Sequence, residues 1–194
     1  PANLACVVAD ARVVDLAGFI APETSYKVVA NLPYYAANPI IRRLLESQPK
    51  PDVLVVMVQQ EVAKNMVAPQ GEMGILSVAT QFYAKAKMVC SVPPRSFRPP
   101  PKVTSAVVRL DLLPSPAADV ASEEDFFTVV RAGFAAPRKQ LRNSLSQGLR
   151  IEPVAGGRIL ADAGVDATRR PQTLDIAEWA GIYQVWARSS HIPE

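Results

Sequence analysis

Histidine is almost absent from this sequence: His191, near the C-terminus, is the only one in 194 residues. That excludes a histidine-rich metal site, and no metal is expected. Cysteine is nearly as scarce. Cys6 and Cys90 lie far apart, each in an apolar stretch, so two buried free thiols are expected rather than a disulfide. No apolar run is long enough to cross a membrane, and no basic segment followed by a hydrophobic one marks a secretory signal. Acidic residues are missing from two windows. Lys85 to Arg109 carries six basic residues (Lys85, Lys87, Arg95, Arg98, Lys102, Arg109) and no acid, and Phe127 to Arg150 carries five (Arg131, Arg138, Lys139, Arg142, Arg150) and no acid. The formal charge is only +3, so the basic residues are patterned rather than uniform. Such a surface suits a polyanion, although stretches of this density also occur as ordinary solvated faces.

With 49% hydrophobic content the chain can bury one sizeable core, or a main domain with a small appendage. Leu4 to Ala9 reads as a short buried strand ended by Asp10, and Lys27 to Leu32 as a second strand. A helix follows from about Pro39 to Ser47, with proline in its first turn. Asp52 to Gln59 is a strongly apolar strand, Glu61 to Val67 a helix, and Gly71 to Gly74 a turn into a helix ending near Tyr83. Ala84 to Val92 and Val103 to Leu112 have the alternation of antiparallel strands at a sheet edge. Between them Pro93 to Pro101 is too rich in proline for helix or strand and must be a stiff loop.

Pro114-Ser115-Pro116 marks a boundary beyond which strand signals stop, giving expected domains 1–116 and 117–194. Phe126, Phe127, Val130 and Phe134 form a helical stripe capped by Ser122. Further helices fit Arg138 to Leu145, Pro153 to Ala163 and Asp175 to Ala187. These elements amount to half of an α/β sheet domain plus a small helical domain. A doubly wound sheet would start with a strand, a glycine-rich turn and a helix that receives a cofactor. No such element precedes the first strand, so the sequence reads either as part of a longer protein or as a domain without a cofactor half, and Pro1 directly before a strand favours the former.

Asn31-Leu32-Pro33-Tyr34 follows the apolar Val28-Val29-Ala30, at the end of a strand where open α/β sheets keep their chemistry. An amide oxygen and a nearby backbone carbonyl suit an exocyclic amine on a planar base, and Tyr34 offers a face for stacking. An adenine N6 is a poor nucleophile because its lone pair is delocalised into the ring. Two acceptors on its hydrogens favour a pyramidal nitrogen whose lone pair points at an electrophile. A strand followed by a plain proline turn accounts for the same four residues.

The tetrapeptide is followed in order by Gln60-Glu61-Val62-Ala63, by Gly74, Leu76, Ser77 and Val78, and by the run from Val92-Pro93-Pro94 through Ser96-Phe97 and Pro99-Pro100-Pro101-Lys102-Val103 to Ser105-Ala106-Val107-Val108-Arg109-Leu110. Together with Phe134 and Arg138-Lys139 to Leu141-Arg142-Asn143-Ser144-Leu145, the sequence resembles the small-subunit ribosomal RNA adenine dimethyltransferases of the RsmA (KsgA) type, from about Asp10 to Trp179. The resemblance implies the C-terminal part of a Rossmann-like methyltransferase sheet domain followed by a small all-helical domain. It implies methyl transfer from S-adenosylmethionine to N6 of two adjacent adenosines in 16S ribosomal RNA, by a cytoplasmic monomer. On that pattern Asn31 and the Leu32 carbonyl receive the amine, Pro33 shapes the turn, Tyr34 stacks on the target base and Phe97 closes on its other side. Asp10 holds the cofactor adenine, with Asn31 beside the cofactor. Arg95, Arg98, Lys102, Arg138, Lys139 and Arg142 are the RNA-binding candidates, with Arg109 and Lys102 also able to flank the groove.

The family's glycine-rich turn and ribose-binding acid would lie before Pro1, so this chain is expected to be inactive by itself. Tyr35-Ala36-Ala37-Asn38 also differs somewhat from the family's usual continuation. Two alternatives stay open: a large-subunit RNA methyltransferase of the macrolide-resistance kind, against which the Arg138 to Leu145 match speaks, and a noncatalytic ribosome-binding factor.

Overall fold

A computed structural model describes residues 4–21 and 24–190; His191 lies outside them. Four strands form one mixed sheet in the order β1-β2-β4-β3. β1 (Lys27–Asn31) runs parallel to β2 (Val53–Gln59), and β4 (Ser105–Leu112) is antiparallel to both β2 and β3 (Ala84–Val92). β1 and β2 are joined through α1 (Ala37–Glu46), while α2 (Gln60–Met66) and α3 (Ile75–Tyr83) lead from β2 to β3. The remaining helices are α4 (Glu123–Gly133), α5 (Leu141–Leu149), α6 (Pro153–Asp162) and α7 (Ile176–Ser190).

Alternation sets the two faces of the sheet. Leu54, Val56 and Val58 of β2 and Ala106, Val108 and Leu110 of β4 are fully buried, on the side covered by helices. The odd-numbered residues of β1 and β2 face the other way, and there Val29 is 81% exposed while Val53, Val55 and Met57 are half-buried. α1 follows the same logic at helical spacing, burying Ile40, Ile41, Leu44 and Leu45.

One hydrophobic cluster runs from under the sheet into the helices. Phe82 of α3 stacks on Phe126 of α4 with ring centroids 4.7 Å apart, and Phe127 meets Phe82 edge-on at 5.4 Å. Burying side chains of this size contributes about 2–3 kcal/mol each. The Ser122 hydroxyl accepts from the Asp125 amide, the N-cap that the spacing predicts.

Several expectations change. Leu4 to Asp10 is not a strand: every residue of it is exposed, Val8 fully so. Apolar side chains alone do not make a strand, because its backbone groups need a neighbour to pair with, and among the described residues it has none. Val103 to Leu112 is not at the sheet edge. β4 begins at Ser105 and is paired on both sides, leaving β3 and β1 as the edges. The cysteines are free as expected, but both are exposed. A bulge between Met88 and Cys90 on the edge strand puts Cys90 on the open face, and Cys6 lies in the unpaired segment. Finally, Arg138 and Lys139 are not helical. They occupy a turn closed by the Lys139 amide donating to the Ala136 carbonyl at 2.8 Å, and α5 begins at Leu141.

Candidate active site and RNA-binding surface

Asn31 ends β1, paired with Met57 of β2. Leu32 is buried, and its amide reaches the Met57 carbonyl at 3.4 Å, carrying the ladder one residue past the strand. Pro33 fixes the backbone direction there, and its carbonyl accepts from the Ala36 amide at 2.9 Å, closing a turn that delivers the chain to α1. Pro39 costs that helix nothing, since first-turn amides have no intrahelical acceptor. The Asn31 carboxamide is exposed on the open face of the sheet, and neither it nor the Leu32 carbonyl accepts a hydrogen bond from another described residue. Two acceptors are therefore free at the carboxyl end of a parallel strand.

Tyr34 is half-buried, with its hydroxyl 2.7 Å from the Ser105 hydroxyl. Ser105 opens β4 and pairs with Gln59 on one side and Val92 on the other. Val92 and Ser105 are also the two ends of the proline-rich loop, so the tetrapeptide is joined to the base of the loop that carries Phe97. Within that loop Pro94–Ser96 makes one short 3-10 turn, and Phe97, half-buried, donates its amide to the Pro94 carbonyl at 3.1 Å. The base is closed further by the Gln60 amide on the Thr104 carbonyl and the Gln60 carboxamide on the Ser91 hydroxyl, both 3.0 Å. Ser105 and Gln60 escaped assignment from sequence. Their only signal was membership of the same recurring motifs.

Asp10 is exposed and makes no hydrogen bond to the tetrapeptide. Its carboxylate is held by Arg12, whose guanidinium approaches to 2.7 Å and whose amide donates at 2.9 Å. Those bonds bring its pKa down to about 2. The Arg43 side chain of α1 donates to the Arg12 and Val14 carbonyls, fastening this segment to the helix after the tetrapeptide. A cleft of about 550 Å³ opens between Arg12, Asp15 and the α1 residues Pro39, Arg42, Arg43 and Glu46. It takes in the segment after Asp10 but not Asn31, which stands on an open surface.

Arg95, Arg98, Lys102, Arg138, Lys139 and Arg142 are all exposed. The ion pairs among the described residues are Arg12–Asp10, Arg42–Glu46, Arg109–Asp111 and Arg169–Glu178, so none of the six is neutralised by a carboxylate. Arg109 is, at 2.6 Å from Asp111, which weakens its case as a groove residue. Arg142 lies along α6, its stem 3.4 Å from where a side chain on Gly157 would begin.

A family profile described as Ribosomal RNA adenine dimethylase matches residues 6–181. The chain belongs to that family. Among its curated relatives, the Ribosomal RNA small subunit methyltransferase A of Dehalococcoides mccartyi (strain 195) is 43% identical over 84% of this chain and 56% of its own length. The protein of the same name from Desulfitobacterium hafniense is 47% identical over 80% and 56%. The chain thus spans just over half the length of the curated relatives it matches. A solved dimethyladenosine transferase from Plasmodium falciparum superposes with a TM-score of 0.73 at 21% identity, covering 88% of this chain and 71% of that one. The 23S rRNA methyltransferase ErmE superposes with a TM-score of 0.63 at 25% identity, covering 88% and 69%. A Rossmann-like methyltransferase sheet followed by a helical region is the fold shared with both.

Proposed function

We propose that this dimethylase-family chain is the substrate-side part of an enzyme that methylates N6 of two adjacent adenosines in small-subunit 16S ribosomal RNA, giving dimethyladenosines. The observation that carries the reading is the pair of free acceptors, the Asn31 carboxamide and the Leu32 carbonyl, at the end of β1 beside Tyr34. An exocyclic amine placed there donates to both, and its lone pair is drawn out of conjugation with the ring. Tyr34 stacks on one face of the flipped base and Phe97 covers the other, each worth about 1–3 kcal/mol. N6-methyladenosine keeps one amine hydrogen, so the second methylation proceeds with one of these two bonds lost.

S-adenosylmethionine is the methyl donor proposed. Asn31 fits its neighbourhood as an acceptor. The ionised Asp10 carboxylate is an acceptor of the kind an adenine amine requires, and Arg12, which holds both its oxygens, competes for it. Arg95, Arg98, Lys102, Arg138, Lys139 and Arg142 contact phosphates: they are exposed, carry no carboxylate partner, and lie in the two acid-free windows that hold the proline-rich loop and the start of α5. Losing one weakens binding evenly across sequences and lowers its salt dependence. The division at residue 116 belongs to this reading: the sheet part presents the amine acceptors and the helical part grips RNA. The protein acts as a monomer in the cytoplasm.

A second reading, small-subunit binding without catalysis, is favoured by the exposed cations without carboxylate partners, which would grip RNA phosphates whether or not a methyl group is transferred. Transfer of labelled methyl to small subunits lacking the modification separates the two. The assay compares this chain, the full-length Dehalococcoides mccartyi protein and the latter with alanine in place of its counterpart of Asn31. The substitution is expected to cost about a hundredfold or more in rate, as losing a transition-state hydrogen bond does. Retained subunit binding by this chain without transfer supports binding alone for it. Labelling of large subunits instead would overturn the choice of substrate.

A further inference from the structure

We propose that Ser105 is a positioning residue for base stacking: its hydroxyl fixes the ring plane of Tyr34 and sets it in register with the loop that carries Phe97. This rests on the reading of Tyr34 as the stacking platform.

Ser105 has the parity of the open sheet face, yet it is fully buried. The Tyr34 hydroxyl, 2.7 Å away, is the one hydrogen-bond partner of its Oγ among the described residues. A phenylalanine would offer an incoming base the same ring, so stacking alone does not call for the phenol oxygen. Tethering does. A half-buried ring on a turn can rotate about two side-chain bonds; a hydrogen bond at its far end fixes the first and, because a phenol O–H prefers the ring plane, favours one setting of the second before the base arrives. The anchor is well chosen mechanically, because Ser105 is paired with Gln59 of β2 and Val92 of β3. It is held from both sides, unlike any residue of an edge strand.

The same residue closes the Phe97 loop. Residues 93–104 leave the sheet at Val92 and return at Ser105, and those two are ladder partners. Gln60, the first residue of α2, locks the same base through Thr104 and Ser91. The wall from the β1 turn and the wall from the proline-rich loop are thus referred to one side chain, so a shift of Ser105 changes the spacing between them. That spacing decides whether a purine, and then a methylated purine, slides between two aromatic rings.

The test has two readouts. The first uses the chain without RNA: the Tyr34 hydroxyl proton, followed by NMR in tyrosine-labelled protein, is expected to exchange slowly in the unaltered chain and fast in Ser105→Ala. Fast exchange in both, or slow exchange in both, overturns the tether. The second uses a small-subunit RNA hairpin with 8-vinyladenosine, which keeps the N6 amine, in place of the first target adenosine; its fluorescence falls when the base stacks on an aromatic ring. Tyr34→Ala is expected to abolish the quenching. Tyr34→Phe and Ser105→Ala are each expected to reduce the stacked population about fivefold, the scale of one ordinary hydrogen bond, and the double variant no further.

Full quenching in Ser105→Ala, with quenching lost in Tyr34→Ala, overturns the role of Ser105 and leaves the stacking platform intact. Unchanged quenching in Tyr34→Ala overturns the platform and the positioning role with it. Strictly additive losses in the double variant also overturn the proposal, since Ser105 would then act by another route. Should Ser105→Ala fail to fold, Tyr34→Phe decides the matter from the other end of the same bond: reduced stacking supports the tether, and unaltered stacking overturns it.

Discussion

The helices from Glu123 onward bury most of their large apolar side chains, with Val154 the exposed exception, whereas the sheet is covered on one face. Phe126, Leu141, Leu145, Leu160, Leu174, Trp179 and Ile182 are fully buried, each between helices. In the sheet the same degree of burial belongs to Leu54, Val56, Val58, Val108 and Leu110, while on the opposite side Val29 is 81% exposed. Parallel strands normally have both faces covered. Among the described residues one sheet face and the β1 edge are uncovered, with Asn31 among the exposed residues there, while the helical part buries its apolar side chains against itself.

Substitutions can break or sharpen that contrast. The largest expected loss is from Phe126→Ala, about 3–5 kcal/mol by denaturant unfolding, since its ring stacks on Phe82 and meets Phe127 and Tyr183 edge-on. A loss under about 1 kcal/mol would mean the helical part is not the closed body described. Gly148→Ala follows at about 3 kcal/mol, because a Cβ there falls 2.3 Å from the Ala132 Cα, a backbone atom that moves only if α4 and α5 separate.

A smaller effect belongs to the Arg169–Glu178 pair, whose side chains are under one-third exposed. The hydrogen bonds from Arg169 hold the Glu178 pKa below its ordinary 4.5. A carboxylate lowered on folding contributes stability that is complete above 4.5 and is lost as pH falls through the lowered folded value. Glu178→Gln is therefore expected to cost about 1 kcal/mol at neutral pH and nothing once the pH lies below the folded value. Equal losses at neutral and acid pH would show that the pair does not act through charge.

The smallest expected effect is from Val29→Ala on the open face, within about 0.5 kcal/mol, set beside Leu54→Ala at about 2–5 kcal/mol on the covered one. Comparable losses at the two positions would show that something covers the open face in solution, and the oligomeric state of the chain would then be measured.

Much of the element order was legible because apolar spacing is local. The stripe Phe126, Phe127, Val130 and Phe134 places α4 within one residue, and the Ser122 cap marks its start. The unbroken apolar run from Val53 to Val58 marks β2 by composition, while its alternating burial appears only in the structure. Legibility failed where pairing partners decide the outcome. Leu4 to Ala9 has the composition of a strand but nothing to pair with. Residues 138 and 139 continue an apparent helical pattern, yet the chain turns at Lys139 and α5 starts two residues later. Both cysteines lie among apolar residues, but neighbours in sequence do not bury a side chain; the bulge at Val89 and the absence of a strand at Cys6 leave them open.

The sequence by itself determined the family, the tetrapeptide at the end of β1 and the basic residues that carry no acid near them in the chain, because motif identity and local charge are properties of order alone. The tertiary structure decided what those groups touch. It ties Asp10 to Arg12 and Arg109 to Asp111, leaves Arg95, Arg98, Lys102, Arg138, Lys139 and Arg142 exposed without a carboxylate partner, and brings the Tyr34 hydroxyl to Ser105 from 71 positions away. Contacts of that range depend on strand order and register, which the ladder fixes only when all four strands meet.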